Sequence, residues 1–329
     1  MSQSAFLGPQ AAYKDRTVGL VVFGILEIFL GGLCALFVPL IAFSIAMGTR
    51  GGTPMDPRMM IPGMMMYVLM AVVLIWLGIG SVRCRRWARA LSLVLGWLWL
   101  VAGIMGMGFF IVLMPGMQEA MAQQGGAPPR EFLFVMQGFM LAMVGCIYIV
   151  IPGALVLFYQ SRHVRATCEA KDPQVRWTDR CPLAVLALSV VWAVTAFSML
   201  GALSYGGVFP LFGVLVSGPL GVLVILAVAA AAGYLAWGTY RLKMTAWWGS
   251  VAMIAALAVS AVVTFSRMGL MDLYRAMNMP PEQLKMIEQT GMIERMDALM
   301  CWFPLVGALV FLAYLLFTKR YFTRAAVEG

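Results

Sequence analysis

The sequence predicts an all-α integral membrane protein with eight transmembrane helices, arranged as two parallel four-helix repeats of the same topology. The first observation is compositional. At 62% hydrophobic and 11% charged residues, with mean hydropathy +0.90, the chain has too little polar surface to cover a water-soluble domain. The second is that its apolar residues fall into eight runs of spanning length. A helix of about 20 apolar residues crosses the hydrocarbon because it satisfies its own backbone polar groups there. The third is that one arginine-bearing pattern occurs twice.

The runs are 17–46, 64–81, 88–113 and 132–159, then 183–205, 220–240, 245–266 and 298–317. The first would be about 45 Å long as a helix, so it must tilt or project. Its apolar core far exceeds the h-region of a cleaved signal, and Lys14 and Arg16 precede it, so it is read as a retained span. Between the spans, 48–62 and 125–129 are rich in turn residues and are expected to be irregular. Before the last span, Pro281 with Glu282 beside it starts a helix and Gly291 can end it. Leu284, Ile287, Ile293, Met296 and Leu299 then form an apolar stripe.

Lys and Arg set the orientation. If the N-terminus is cytoplasmic, the inner connections hold Arg83, Arg85, Arg86 and Arg89, then Arg162, Arg165, Lys171, Arg176 and Arg180, then Arg241 and Lys243, with Lys319, Arg320 and Arg324 after the last span. Outer basic residues are offset by a similar number of acids. This asymmetry predicts a multi-pass protein of the cell inner (cytoplasmic) membrane with both termini cytoplasmic. Trp87, Trp177, Trp237, Trp247 and Trp248 lie near the inner boundary, where indoles favour the headgroup zone. The net charge of +9 reflects this topology and anionic lipid. It is divided among short inner segments, so no nucleic-acid partner is expected.

Gly80, Arg83, Arg85, Ala88 and Ser92 recur as Gly238, Arg241, Lys243, Ala246 and Ser250 at one offset. Ala154, Leu157, Phe158, Arg165 and Ala166 recur as Ala313, Leu316, Phe317, Arg324 and Ala325. Four spans per half is an even number, so both halves enter from one side and the repeat is parallel. The division is 1–161, first four-helix repeat; 162–182, cytoplasmic linker; 183–329, second repeat. Val21, Val22 and Gly32 echo Val190, Val191 and Gly201, which sets Thr195 or Ala196 opposite Glu27.

Glu27 is the one acid well inside a span. Buried there, it faces the bundle interior and is protonated or partnered. It is either a proton or cation site or a hydrogen bond between helices, and its lack of a duplicate favours the structural role. In the linker, Arg176, Trp177, Asp179 and Arg180 form an interfacial group, with Asp179 pairing Arg176 or Arg180 and Pro182 in the first turn of the fifth span. They are read as a collar setting helix entry, or as a docking point for a partner or anionic lipid.

His163, Cys168, Cys181 and Cys84 lack a close Cys pair, so no zinc site is expected. Cys34, Cys146 and Cys301 lie in spans as small hydrophobes, and no disulfide is expected. Methionines crowd the outer side, among them Met55, Met59, Met60, Met64, Met65, Met66, Met114, Met117, Met121, Met268, Met286 and Met292. Thioethers bind Cu(I), but with no outer His or Cys they read as packing or docking groups.

One histidine excludes two-histidine metal motifs, and there is no G-x-S-x-G, P-loop or paired carboxylate. No enzyme activity and no cofactor are therefore expected. Small-residue runs 229–233 and 252–261 favour close helix approach over a broad aqueous pore. The chain is expected to be a non-enzymatic membrane subunit or scaffold whose partners are membrane lipids and proteins of a complex. The alternative is a small-solute, lipid or ion transporter with a site between the two repeats.

Overall fold

The computed structural model describes residues 13–50, 57–123, 130–289 and 293–328. It is an all-α multi-pass membrane protein; among the described residues, eight helices are long and apolar enough to span a bilayer, joined by short elements and one small β-hairpin. The spanning helices are α1 (Thr17–Arg50), α2 (Ile61–Val82), α3 (Arg86–Gln123) and α4 (Arg130–Gly145). A π turn (Cys146–Val150) carries α4 into α5 (Ile151–Tyr159), so these two make one span. After α6 (Arg162–Lys171) come α7 (Leu183–Ala202), α8 (Gly218–Tyr240) and α9 (Met244–Phe265). Short α10 (Leu270–Ala276) and α11 (Pro281–Gln289) precede the last span, α12 (Ile293–Glu328).

Three helices outrun their apolar cores. With 34, 38 and 36 residues, α1, α3 and α12 are about 50–57 Å long, against a hydrocarbon core of about 30 Å. The segment 48–62 is consequently less irregular than its composition suggests. Helix α1 continues to Arg50, a 3₁₀ turn covers Pro57–Met60, and α2 begins at Ile61. Pro62 suits that first turn, where its missing N–H has no intrahelical acceptor. Met55, Gly291, Met292 and the 125–129 turn lie outside the described residues.

Antiparallel hairpins are the packing unit. Helices α1 and α2 approach backbone to backbone because glycines face each other. A Cβ on Gly24 would lie 2.8 Å from the Gly78 carbonyl oxygen, and one on Gly78 2.5 Å from that of Gly24. One heptad on, Gly31 packs on Ala71 and Ile75. In the α4–α5 span, Pro152 cannot donate to the Tyr148 carbonyl four residues earlier, and the chain widens into the π turn just before it. Gly103 of α3 lies against that carbonyl and leaves no room for a side chain.

The α2–α3 and α8–α9 connections have the same geometry. In each, the helix ends in a Schellman motif with a non-glycine residue in the left-handed region, Cys84 at φ 53° and Leu242 at φ 55°. Cys84 and Arg85 N–H donate to the Ser81 and Gly80 carbonyls, both at 2.9 Å. Leu242 and Lys243 N–H donate to those of Thr239 and Gly238, at 2.9 and 3.0 Å. Each following helix then turns tightly, since a Cβ on Gly80 would meet that of Ala88 at 2.6 Å and one on Gly238 that of Ala246 at 2.6 Å.

The α7–α8 connection contains a hairpin that apolar periodicity does not announce: β1 (Phe209–Leu211) pairs antiparallel with β2 (Val214–Val216). Its two-residue turn, Phe212–Gly213, takes positive φ at both positions, matching the twist of the strands. The turn N–H groups do not face hydrocarbon unpaired. Phe212 N–H donates to Ser260 Oγ and Gly213 N–H to Thr264 Oγ1, both at 2.9 Å, and Ser260 Oγ donates to the Pro210 carbonyl at 3.0 Å. Helix α9 thus supplies hydroxyls to a strand that would otherwise leave donors unmet. On the same face, Leu270 N–H donates to Asp297 of α12, and Arg275 of α10 pairs with Glu288 of α11 at 3.4 Å.

Replacing Gly78 with valine should drive α1 from α2 and lower the full chain's thermal stability in mild detergent by about 1–3 kcal/mol, the usual cost of overpacking. Gly63→Val, where a Cβ meets nothing within 4 Å, is the matched control and should change stability far less.

Candidate functional site

The buried polar groups of the first four spans gather near the end that carries Arg83, Arg85 and Arg86, called here the basic face. Glu27 follows Thr17, the first residue of α1, by ten residues, which places its backbone about 15 Å along the helix. Helical side chains lean toward the N-terminus, so the carboxylate reaches back to the level of Ser81, at the end of α2. Ser81 Oγ donates to Glu27 Oε2 at 3.0 Å, and Tyr159, the last residue of α5, donates its hydroxyl to Ser81 Oγ at 2.8 Å. Glu27 is 1% exposed, and Ser81 and Tyr159 are fully buried.

Ser92 of α3 is the fourth member. Its hydroxyl is within interaction range of Glu27 and Tyr159, yet meets the distance and angle of no completed hydrogen bond. The sequence identifies Glu27 alone; its three partners are ordinary hydroxyl residues at the ends of apolar runs. What singles them out is depth, since all four lie within a few turns of the basic-face helix ends.

Below this cluster lies a collar of ion pairs. Buried Asp172 receives Arg176 twice (Nε to Oδ2 at 3.0 Å, Nη2 to Oδ1 at 2.6 Å), the Arg86 backbone N–H at 3.3 Å, and Arg85 Nη1 at 3.5 Å. The Asp179 carboxylate accepts the Arg176 backbone N–H at 2.9 Å and pairs with Arg86 Nε at 3.4 Å. The side-chain pairing expected of Asp179 with Arg176 or Arg180 is therefore replaced. Arg176 reaches back four residues to Asp172, and Asp179 caps its own 3₁₀ turn (Trp177–Arg180) while holding α3.

Trp177 is 42% exposed, and its carbonyl accepts the Tyr240 hydroxyl at 3.0 Å. Arg180 is exposed. Pro182 stands one residue before α7, its carbonyl accepting the Val185 and Leu186 N–H groups at 2.9 Å. Of the indoles assigned to the headgroup zone, Trp237 and Trp248 are exposed beside Lys243 and Lys319. Trp247 instead is 2% exposed and donates to the Leu315 carbonyl at 2.9 Å.

Helix α6 ties the collar to α1. Arg16 N–H donates to Thr167 Oγ1 at 3.1 Å and Lys14 N–H to His163 Nδ1 at 3.3 Å, near the helix start where backbone donors lack intrahelical partners. His163 and the linker cysteines do not converge; among the described residues no three His, Cys, Asp or Glu side chains form a metal-binding group. Burial pushes the Cys168 thiol up to about 12 and the Cys181 thiol up to about 11, so both behave as small hydrophobes.

The second four spans hold a cavity of about 360 Å³ between α7, α9 and α12. Val191, Ile254, Leu257, Phe311, Ala258 and Gly307 make most of its wall. The two polar side chains on that wall are already engaged: Trp192 Nε1 donates to Ser250 Oγ and Thr195 Oγ1 to the Val191 carbonyl, both at 2.9 Å. The two small-residue runs thus differ. In 229–233, Ala229 and Ala232 are buried in close packing, whereas Ala258 and Ala261 of 252–261 border open volume.

No protein-family model, curated protein or solved structure matches the chain.

Hydrogen bonds from Arg176, followed by the Arg86 N–H and the nearby Arg85 and Arg176 charges, hold the Asp172 carboxyl below its usual range. A group depressed in this way stabilises the fold above its unfolded pKa, and that contribution is lost as pH falls through the folded pKa. Asp172→Asn should cost about 1–2 kcal/mol at neutral pH, discounted because both arginines are partly exposed. Thermal unfolding of the full chain should show that the difference between wild type and variant shrinks on acidification. A pH-independent difference contradicts the assignment.

Proposed function

We propose that the protein is a non-enzymatic scaffold or subunit of the cell inner membrane that associates with lipid and protein partners, its basic face and both termini in the cytoplasm. The observation that carries the lipid part is the α7–α9–α12 cavity. Its wall is hydrocarbon, and its only polar side chains are satisfied within the protein. Its side chains offer no free donor and only the Thr195 hydroxyl oxygen as an acceptor, and the remaining apolar wall matches an acyl chain better than a polar solute. Because it lies within the second set of spans, it favours lipid association over a solute site between the two sets.

The partner part rests on apolar surface. Phe132, Phe134, Val135 and Phe139 on α4, and Trp302 and Leu309 on α12, are each more than half exposed; these faces meet lipid or a neighbouring helix. The Arg176, Trp177, Asp179 and Arg180 segment fits the collar role better than docking, because Arg176 and Asp179 are committed to internal pairs.

We further infer that the eight spans arose as two parallel four-helix repeats. Supporting this are the matched Schellman turns at Cys84 and Leu242 and the matched Gly80–Ala88 and Gly238–Ala246 contacts. Register within the hairpins adds to it: Gly24 lies on the Gly78 carbonyl, and Ser189 Oγ donates to that of Ala236 at 2.6 Å. Under this reading the counterpart of Glu27 is Trp192, not Thr195 or Ala196. Ser250, the counterpart of Ser92, then receives an indole N–H where Ser92 faces a carboxyl.

Purification of the full chain from native membrane in mild detergent, with mass spectrometry of what copurifies, tests the proposal. A lipid retained near one per chain is expected, and Ala258→Phe, which fills the cavity, should reduce it several-fold while leaving the elution profile unchanged. Retention of a polar solute by a solitary chain, or lipid retention indifferent to Ala258→Phe, contradicts it.

A further inference from the structure

Four helices each deliver one oxygen-bearing side chain to a single buried point: Glu27 from α1, Ser81 from α2, Ser92 from α3 and Tyr159 from α5. Among the described residues no ion pair includes Glu27. Tyr159 of α5 is the titratable group in its hydrogen-bonded chain, and Cys84 in the α2–α3 turn and Cys168 on α6 are buried with Tyr159 in one apolar cluster. Arg89 of α3 sits among Cys168, Arg165, Glu169 and Asp179 at the collar, and Lys171 bonds Thr17 at the start of α1. A buried carboxylate without a counter-ion is costly, and uptake of a proton removes that cost.

The spacing indicates what the site takes. Oxygens 2.8 and 3.0 Å apart in the Tyr159–Ser81–Glu27 chain are already bridged by hydrogens, as in a hydrogen-bonded relay. A metal ion would need those hydroxyls turned away from one another, with their lone pairs toward it. Ser92 supplies the remaining part: a hydroxyl 2% exposed, with no completed bond, beside the carboxyl. A carboxylic acid has one O–H to donate, and Ser92 Oγ is an acceptor for it.

We infer that Glu27, Ser81, Ser92 and Tyr159 form an exchangeable proton-binding site opening toward the basic face. A proton from water there adds to a Glu27 carboxylate oxygen, and the new O–H donates to Ser92 Oγ; no other bond is made or broken. Tyr159 is the last residue of α5, directly before α6, which bonds the start of α1. This inference does not rest on the scaffold proposal.

The test uses the full chain in lipid nanodiscs and two readouts: labelling by dicyclohexylcarbodiimide, which reacts with protonated carboxyls in apolar surroundings, and the infrared carbonyl band of a protonated acid. Labelling should map to Glu27 and vanish in Glu27→Gln. Above its midpoint it should fall roughly tenfold per pH unit, as a single titrating site requires, in parallel with the infrared band. Ser92→Ala, which removes a hydroxyl that bonds the ionised carboxylate more strongly than the protonated acid, should move that midpoint to higher pH. Protection by Na⁺ at constant pH would make this a metal-cation site and overturn the proposal. So would a pH-independent signal, or no signal in either readout, either of which leaves only a fixed hydrogen bond between helices. If Glu27→Gln fails to fold, the wild-type band and its shift in Ser92→Ala decide the matter.

Discussion

The hydrocarbon solvent offers no hydrogen bonds, so every polar group taken into it must be answered from within the chain. Most of the structure follows from that constraint. The backbone answers itself in helices. Where it leaves the helix between spans, side chains complete the accounting, as when Ser260 and Thr264 meet the turn N–H groups of the small hairpin. Where a side chain is itself polar, another helix must supply the partner. Ser81 for Glu27, Ser250 for Trp192 and the Leu315 carbonyl for Trp247 are the same solution at three places.

Both ends of the bundle are consequently joined by directional bonds. At the basic face, directional bonds join α1, α2, α3, α5, α6 and the linker, from the Glu27 cluster outward to the Asp172 collar. Toward the other face, long helices are joined by the hairpin's bonds to Ser260 and Thr264, by Leu270 N–H to Asp297 and by the Arg275–Glu288 pair. The cavity between α7, α9 and α12 lies where small residues and Pro304 thin the helix walls.

The spans were legible because spanning length and apolarity are set by the bilayer itself: seven of the eight runs coincide with a span to within three residues, and the last, 298–317, with one that continues to Arg324. Helix ends were less so. Arg50, Gln123 and Ile293 bound helices that continue beyond the hydrocarbon, where composition turns polar without a change of conformation. Glu27 stood out by its charge. Ser81, Ser92 and Tyr159 did not, because a hydroxyl in an apolar helix is common and only the crossing of four helices brings these together. The ion pairs of Asp172 were hidden similarly: Arg85 and Arg86 are more than 80 positions away in sequence. The hairpin at Phe209–Val216 was masked by its apolar residues, and Phe212–Gly213 is not one of the dipeptides that announce such a turn.

If the basic end depends on polar groups that cross between helices, the Glu27–Ser81 contact must carry energy beyond what either residue contributes alone. A double-mutant cycle on unfolding stability in nanodiscs, using Glu27→Leu, Ser81→Ala and both together, measures that directly. A coupling energy of about 0.5–3 kcal/mol is expected for two groups in one buried hydrogen-bonded network. Additive effects, within about 0.3–0.5 kcal/mol, would mean that the two side chains do not act together and would contradict the account.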